Sequence, residues 1–113
     1  MKYKVAVEDV ATVHLVGQIA GSGSQATKFK FTLTCKRLSQ DALQLRLADK
    51  EEGLKDFMGS LTTAWEGQRL VLNEDDTPAD FNADSFDALM SIAGMPGYAF
   101  QAYLKAVAVK EKN

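Results

Sequence analysis

At 113 residues the chain is the size of one domain, and 46% hydrophobic residues against 25% charged supply enough apolar side chains for a single core. That balance excludes a wholly disordered chain, and no apolar run approaches the ~20 residues of a membrane-spanning helix. The net charge is −2, and the lone cysteine, Cys35, excludes both a disulfide framework and a cysteine-rich metal site, which points to a reducing compartment.

Met1-Lys2-Tyr3-Lys4 leads into alternating polar and apolar residues rather than the apolar heart of a signal peptide, so the expectation is a cytoplasmic protein. Tyr3, Val5 and Val7 have strand spacing, with Glu8-Asp9 at a turn. Val13, Leu15 and Ile19 then alternate with Thr12, His14 and Gln18. Gly21-Ser22-Gly23-Ser24-Gln25 is a glycine-rich turn that can join antiparallel strands. Beyond it Phe29, Phe31, Leu33 and Cys35 fall on one face, and Lys28, Lys30, Thr32, Thr34 and Lys36 on the other, the period of a half-buried strand.

Ser39 can cap a helix through Asp41, Ala42, Leu45 and Ala48, although Leu43, Leu45 and Leu47 also fit a strand. Leu54, Phe57, Met58, Leu61 and Trp65 recur at helical spacing, a stripe stopped by Gly67. Residues 69–72 read as a short extended piece and residues 73–78 as a turn. Asn82 is a good N-cap with Asp84 in the first turn, and Phe81 can staple onto Phe86 across it. Phe86, Leu89, Met90 and Ala93 form that helix's apolar face, closed by Gly94. Pro96 starts a last helix with Tyr98, Phe100, Tyr103, Leu104 and Val107, followed by the basic run Lys105, Lys110 and Lys112. The expectation is one α+β domain over 1–113. An antiparallel meander of about three strands occupies residues 2–36, and three to four helices over 39–108 pack on one face.

No constellation in the chain supports catalysis, a metal or a cofactor. His14 is the sole histidine and lies on a polar strand face without a marked nucleophile; Cys35 lies on an apolar face, where a thiol behaves as a small hydrophobe. The acidic stretch 73–84 puts Pro78 and Asp84 where a calcium loop needs Gly and a bidentate Glu. The serine-glycine turn lacks the lysine of a phosphate loop. Residues 1–40 hold six Lys/Arg against two acids and residues 41–113 seven against thirteen. Yet Lys28-Phe29-Lys30-Phe31 sends rings and ammonium groups to opposite faces, whereas RNA-binding sheets present both together. No nucleic acid, membrane or enzymatic role is therefore expected. Met58, Met90 and Met95, with Phe57, Trp65, Phe86, Tyr98, Phe100 and Tyr103, make the later chain rich in large apolar groups. A small sheet and short helices are not expected to hide all of them, so part should form a contact surface.

The order Trp65, Gly67, Leu70-Val71-Leu72, the acidic turn Glu74-Asp75-Asp76-Thr77-Pro78, Phe81, a capped helix over Asp84–Ala93, Met95-Pro96 and Ala102-Tyr103-Leu104 resembles the tail assembly chaperones of long-tailed phages and prophages. Phe29-Lys30-Phe31 through Arg37-Leu38-Ser39-Gln40 is similar to a strand-to-helix passage of the same group. The likeness spans most of residues 28–108. Asp76-Thr77 replaces the more usual Asp-Gly, and the N-terminal meander is longer. The resemblance implies a non-enzymatic protein of the bacterial cytoplasm that binds the helical tape measure protein and keeps it soluble until the tail tube assembles. Self-association and contact with the major tail protein are further partners of that reading. Met90, Met95, Tyr98 and Phe100 are the expected partner-binding residues, and Trp65, Phe81 and Phe86 the structural anchors. The alternative is a small tail completion or connector protein that stays in the virion.

Overall fold

The computed structural model describes residues 2–23 and 25–110; Met1, Ser24 of the expected turn and Lys112 of the basic run lie outside them. Strands β1 (Val10–Ala20) and β2 (Ala26–Lys36) form a long antiparallel hairpin. Helices α1 (Gln40–Ala48) and α2 (Leu54–Leu61) follow, then strand β3 (Thr62–Glu66) and helices α3 (Ala83–Met90) and α4 (Met95–Val107). The sheet order is β1-β2-β3, all antiparallel. The α+β class, the three-stranded antiparallel sheet and the helices on one face are as the sequence pattern predicts.

The third strand is not the expected one. Residues 2–9 carry no strand, and Tyr3 is 80% and Val5 74% exposed. The free edge of β1, where such a strand would pair, is taken by α4: the Tyr98 hydroxyl donates to the Val16 carbonyl and accepts from its N–H at 3.2 Å. The third strand comes instead from the segment read as the end of a helix. α2 stops at Leu61 because the β-branched pair Thr62-Thr63 favours extension, and the Thr62 hydroxyl caps the helix by donating to the Met58 carbonyl at 2.8 Å. The chain turns straight into β3, which puts Trp65 opposite Leu33 on the inner face of the sheet.

The capping signals translate directly. Ser39 Oγ accepts from the Ala42 N–H, so α1 is a helix and not a strand. Asn82 and Ser85 form a reciprocal capping box at α3. Phe81 staples onto Phe86 with ring centroids 5.8 Å apart. α3 ends at Met90, earlier than Ala93, and Gly94, at φ 84°, turns the chain into α4.

The inner strand positions Val13, Leu15, Phe31, Leu33 and Cys35 share one core with Phe57, Met58, Leu61, Phe86, Leu89, Met90, Met95, Ala99 and Tyr103. Tyr103 is fully buried, yet its hydroxyl donates to the Lys36 carbonyl at 2.9 Å and accepts from the Leu38 N–H at 3.3 Å, fixing the exit of β2. Gln68, also buried, ties the 67–79 segment together. Its Oε1 accepts from the N–H groups of Leu70 and Val71, and its Nε2 donates to the carbonyls of Val71 and Ala79. α1 buries no residue completely. Arg46 pins it with a bidentate pair to Glu52 at 2.8 Å and a bond to Ser60, while Leu45 stays 74% exposed.

The radius of gyration is 15.7 Å, above the ~13 Å of a compact chain of this length. The hairpin, whose strands run past the core, and the exposed residues 2–9 both extend the chain. Inner positions are sealed at Val13, Leu15 and Phe31, but Ile19 and Phe29 beyond them are only half-buried.

Candidate functional site

Among the described residues His14, Cys35 and the acidic turn lie apart from one another. His14 is exposed on the outer face of β1. Cys35 is buried 3.4 Å from Thr62 Oγ1, and burial pushes its thiol up, partly offset by that contact. Among the described residues no three His, Cys, Asp or Glu side chains are grouped to hold a metal. The acidic stretch is a tight hairpin turn: Leu72 bridges to Pro78, and Asp76 takes a positive φ of 67°. The Asp75 carboxylate accepts from the Thr77 hydroxyl and N–H, which holds it below the ordinary carboxylate range.

An apolar groove of 310 Å³ lies where the distal half of the hairpin overhangs the α3–α4 junction. Its walls are Ile19 and Phe29 on the sheet side and Ile92, Ala93, Met95 and Tyr98 on the helix side. No charged side chain lines it. Strand alternation aims Ile19 and Phe29 at the helical side, but they lie where the helix layer has already turned at Ser91–Gly94. They are left with helix partners on one flank only.

Two glycines shape the groove. A Cβ on Gly17 would lie 2.9 Å from the Phe29 ring and 3.4 Å from the Tyr98 hydroxyl, so glycine lets both rings cross the strand there without shifting. Those rings meet edge to face, with centroids 5.8 Å apart and planes at 84°. Gly94 supplies the left-handed turn that brings Met95 back beneath them. Tyr98 thus has two jobs, closing the β1 edge with its hydroxyl and forming a groove wall with its ring.

The four residues expected to bind a partner do not form one exposed patch. Met90 and Met95 are each 3% exposed and belong to the core, Met95 reaching the groove only as its floor. Phe100 is half-buried and packs edge to face on Phe57 at 5.3 Å, away from the groove. Tyr98, 40% exposed, is the one with an accessible ring. The helices hide the large groups better than expected because the long inner face of the hairpin receives them. Of the structural anchors, Phe86 is buried, whereas Trp65 and Phe81 are half-buried and stack edge to face at 5.4 Å. Trp65 Nε1 donates to the Ala79 carbonyl at 3.2 Å, tying β3 to the start of the α3 segment.

Ile19, Phe29 and Ile92 were not singled out by sequence reasoning. The available signal was the hairpin's inner apolar phase, which continues four residues past Leu15 to Ile19, further than a small helical layer covers. Comparison with family models, with curated proteins and with solved structures gives no match.

Proposed function

We propose that this protein is a non-enzymatic tail assembly chaperone that binds the helical tape measure protein and keeps it soluble until the tail tube assembles around it. The observation that carries the reading is the uncharged groove between the hairpin and the α3–α4 junction. Apolar walls formed by Ile19, Phe29, Ile92 and Tyr98 suit the apolar stripe of an amphipathic helix, which presents anchors at i, i+3, i+4 and i+7. The affinity such a groove provides is modest, because its walls are few and already half-covered. A modest affinity is what a holding protein needs if a better-fitting tube interior is to displace it.

The residue pattern from Trp65 to Leu104 supports the same reading. So does the separation of His14, Cys35 and the acidic turn, which stand apart among the described residues.

Co-expression with the tape measure protein of the same genome tests the proposal. The tape measure protein's soluble fraction should rise and the two should co-purify. Ala93→Asp puts a charge into the groove at an exposed position and should abolish co-purification while the variant melts like the parent. No binding by the parent protein rejects the chaperone reading, and stoichiometric presence in finished virions moves the protein to the structural alternative.

A further inference from the structure

The charges are segregated along the chain. No Asp or Glu occurs between Val10 and Gln40, a stretch that includes Lys28, Lys30, Lys36 and Arg37. No Lys or Arg occurs between Leu70 and Leu104, a stretch with six carboxylates. In the fold the first stretch is the hairpin, and its outer face is bare. Lys28, Lys30 and Lys36 project there from β2, with Thr32 and Thr34 between them and Thr12 and His14 beside them on β1. Thr12 and His14 also wall a groove of 240 Å³ at the β1–α4 seam, completed by Tyr98, Gln101, Lys105 and Lys110, with no carboxylate in its lining.

Nearby acids are few and peripheral. Glu66 lies opposite Thr32 at the β3 border, and Glu8 and Asp9 precede β1 beside Lys36. Neither ion pair among the described residues, Arg46–Glu52 or Lys55–Asp87, draws on the sheet's lysines. The face therefore gathers cations with hydroxyl groups and a cleft, and Glu66 at its β3 border is the one carboxylate that the three strands contribute.

We propose that this face and the β1–α4 groove form a second binding site, distinct from the apolar groove, for an extended acidic polypeptide segment. Lys28 and Lys30 are alternate residues of a strand, so their ammonium groups repeat at ~6.7 Å, the spacing of alternate carboxylates on one side of an extended acidic chain. Thr32 and Thr34 supply hydroxyl donors to backbone carbonyls between them, and the seam groove admits a terminal carboxylate between Lys105 and Lys110. A polyanion of the nucleic-acid class fits less well. The strand face has no aromatic ring of its own, since Phe29 and Phe31 point to the other side, and the one ring in the seam groove, Tyr98, is held edge to face against Phe29 with its hydroxyl on the Val16 backbone.

The test is an amide NMR titration of the whole protein with a decaglutamate peptide and, in parallel, a ten-nucleotide thymidine strand, at 50 and 300 mM salt. Decaglutamate should shift the amides of Thr12, His14, Lys30 and Thr32 and leave Ile19, Phe29 and Ile92 unmoved. Its binding should weaken at least ten-fold at the higher salt. Lys30→Glu with Lys105→Glu should abolish the shifts with an unchanged melting temperature, and Lys30→Arg with Lys105→Arg should retain them. No shifts with decaglutamate, shifts that survive the double charge reversal, or tighter binding of the thymidine strand would each overturn the proposal.

Discussion

Tyr98 and Tyr103 stand one and a half turns apart on α4, and each hydroxyl bonds an N–H and a carbonyl of the sheet's backbone. Replacing either by Phe removes one oxygen and opens no cavity, so the pair isolates what burial does to a lost hydrogen bond. Tyr103 is fully buried, and in Tyr103→Phe the Leu38 N–H and Lys36 carbonyl lose their partner at a part-buried junction. Leaving buried groups unpaired costs about 1–3 kcal/mol. With two groups affected, about 2–3 kcal/mol is expected, equivalent to a fall of roughly 8–12 °C in Tm for a chain of this length. Tyr98 is 40% exposed, and in Tyr98→Phe water takes over both Val16 groups. The loss there should stay under about 1 kcal/mol. Thermal melts followed by circular dichroism, with urea unfolding to check an unchanged m-value, measure both. Equal shifts for the two variants, or a Tyr103→Phe loss under about 0.5 kcal/mol, would refute the assignment of Tyr103 as the buried bond that fixes the exit of β2.

Trp65→Ala should cost about 2–3 kcal/mol, below the ~3–5 of a fully buried Trp, because the ring is half-exposed but holds both Phe81 and the Ala79 carbonyl; a melt within a degree of the parent counts against an anchoring role. Gln68→Ala should lower stability by about 1–3 kcal/mol and lose protection of the Leu70 and Val71 amides in hydrogen exchange. Burial pushes the ionisation of both Cys35 and Tyr103 up. Groups that keep their protons longer folded than unfolded leave stability intact below the unfolded values, ~8.5 for Cys and ~10 for Tyr. Urea midpoints should therefore hold from neutral pH to about 8.5 and fall above it, less so in Cys35→Ala; a rise with pH in that range contradicts the buried placement.

The strands of the hairpin and the caps of α1 and α3 were legible because each rests on local chemistry: a period of two, a serine or asparagine oxygen over a first turn, a phenylalanine staple. The third strand was not. Tyr3, Val5 and Val7 alternate as well as any strand, but whether they pair depends on the β1 edge, and that edge is settled by Tyr98, eighty-two residues from Val16. Trp65 continues the helical phase of Leu54 and Leu61, and only the Thr62-Thr63 pair and the register with Leu33 turn it into a strand residue. For the candidate site, the sequence singled out four residues that the fold places at different depths, with Tyr98 alone 40% exposed. A methionine's adaptability gives no sign of whether it faces a core or a partner, and Met90 and Met95 face the core. The groove itself is made by overhang, a relation between strand length and helix position that no single segment records.

The most direct test of the proposed function maps contact rather than solubility. Apolar helical segments of the tape measure protein, titrated into the labelled chain, should shift the methyl and ring resonances of Ile19, Phe29, Ile92 and Tyr98, and Ala93→Asp should remove those shifts. Shifts confined to other surfaces, or none with any segment, would contradict the assignment of the groove as the client site.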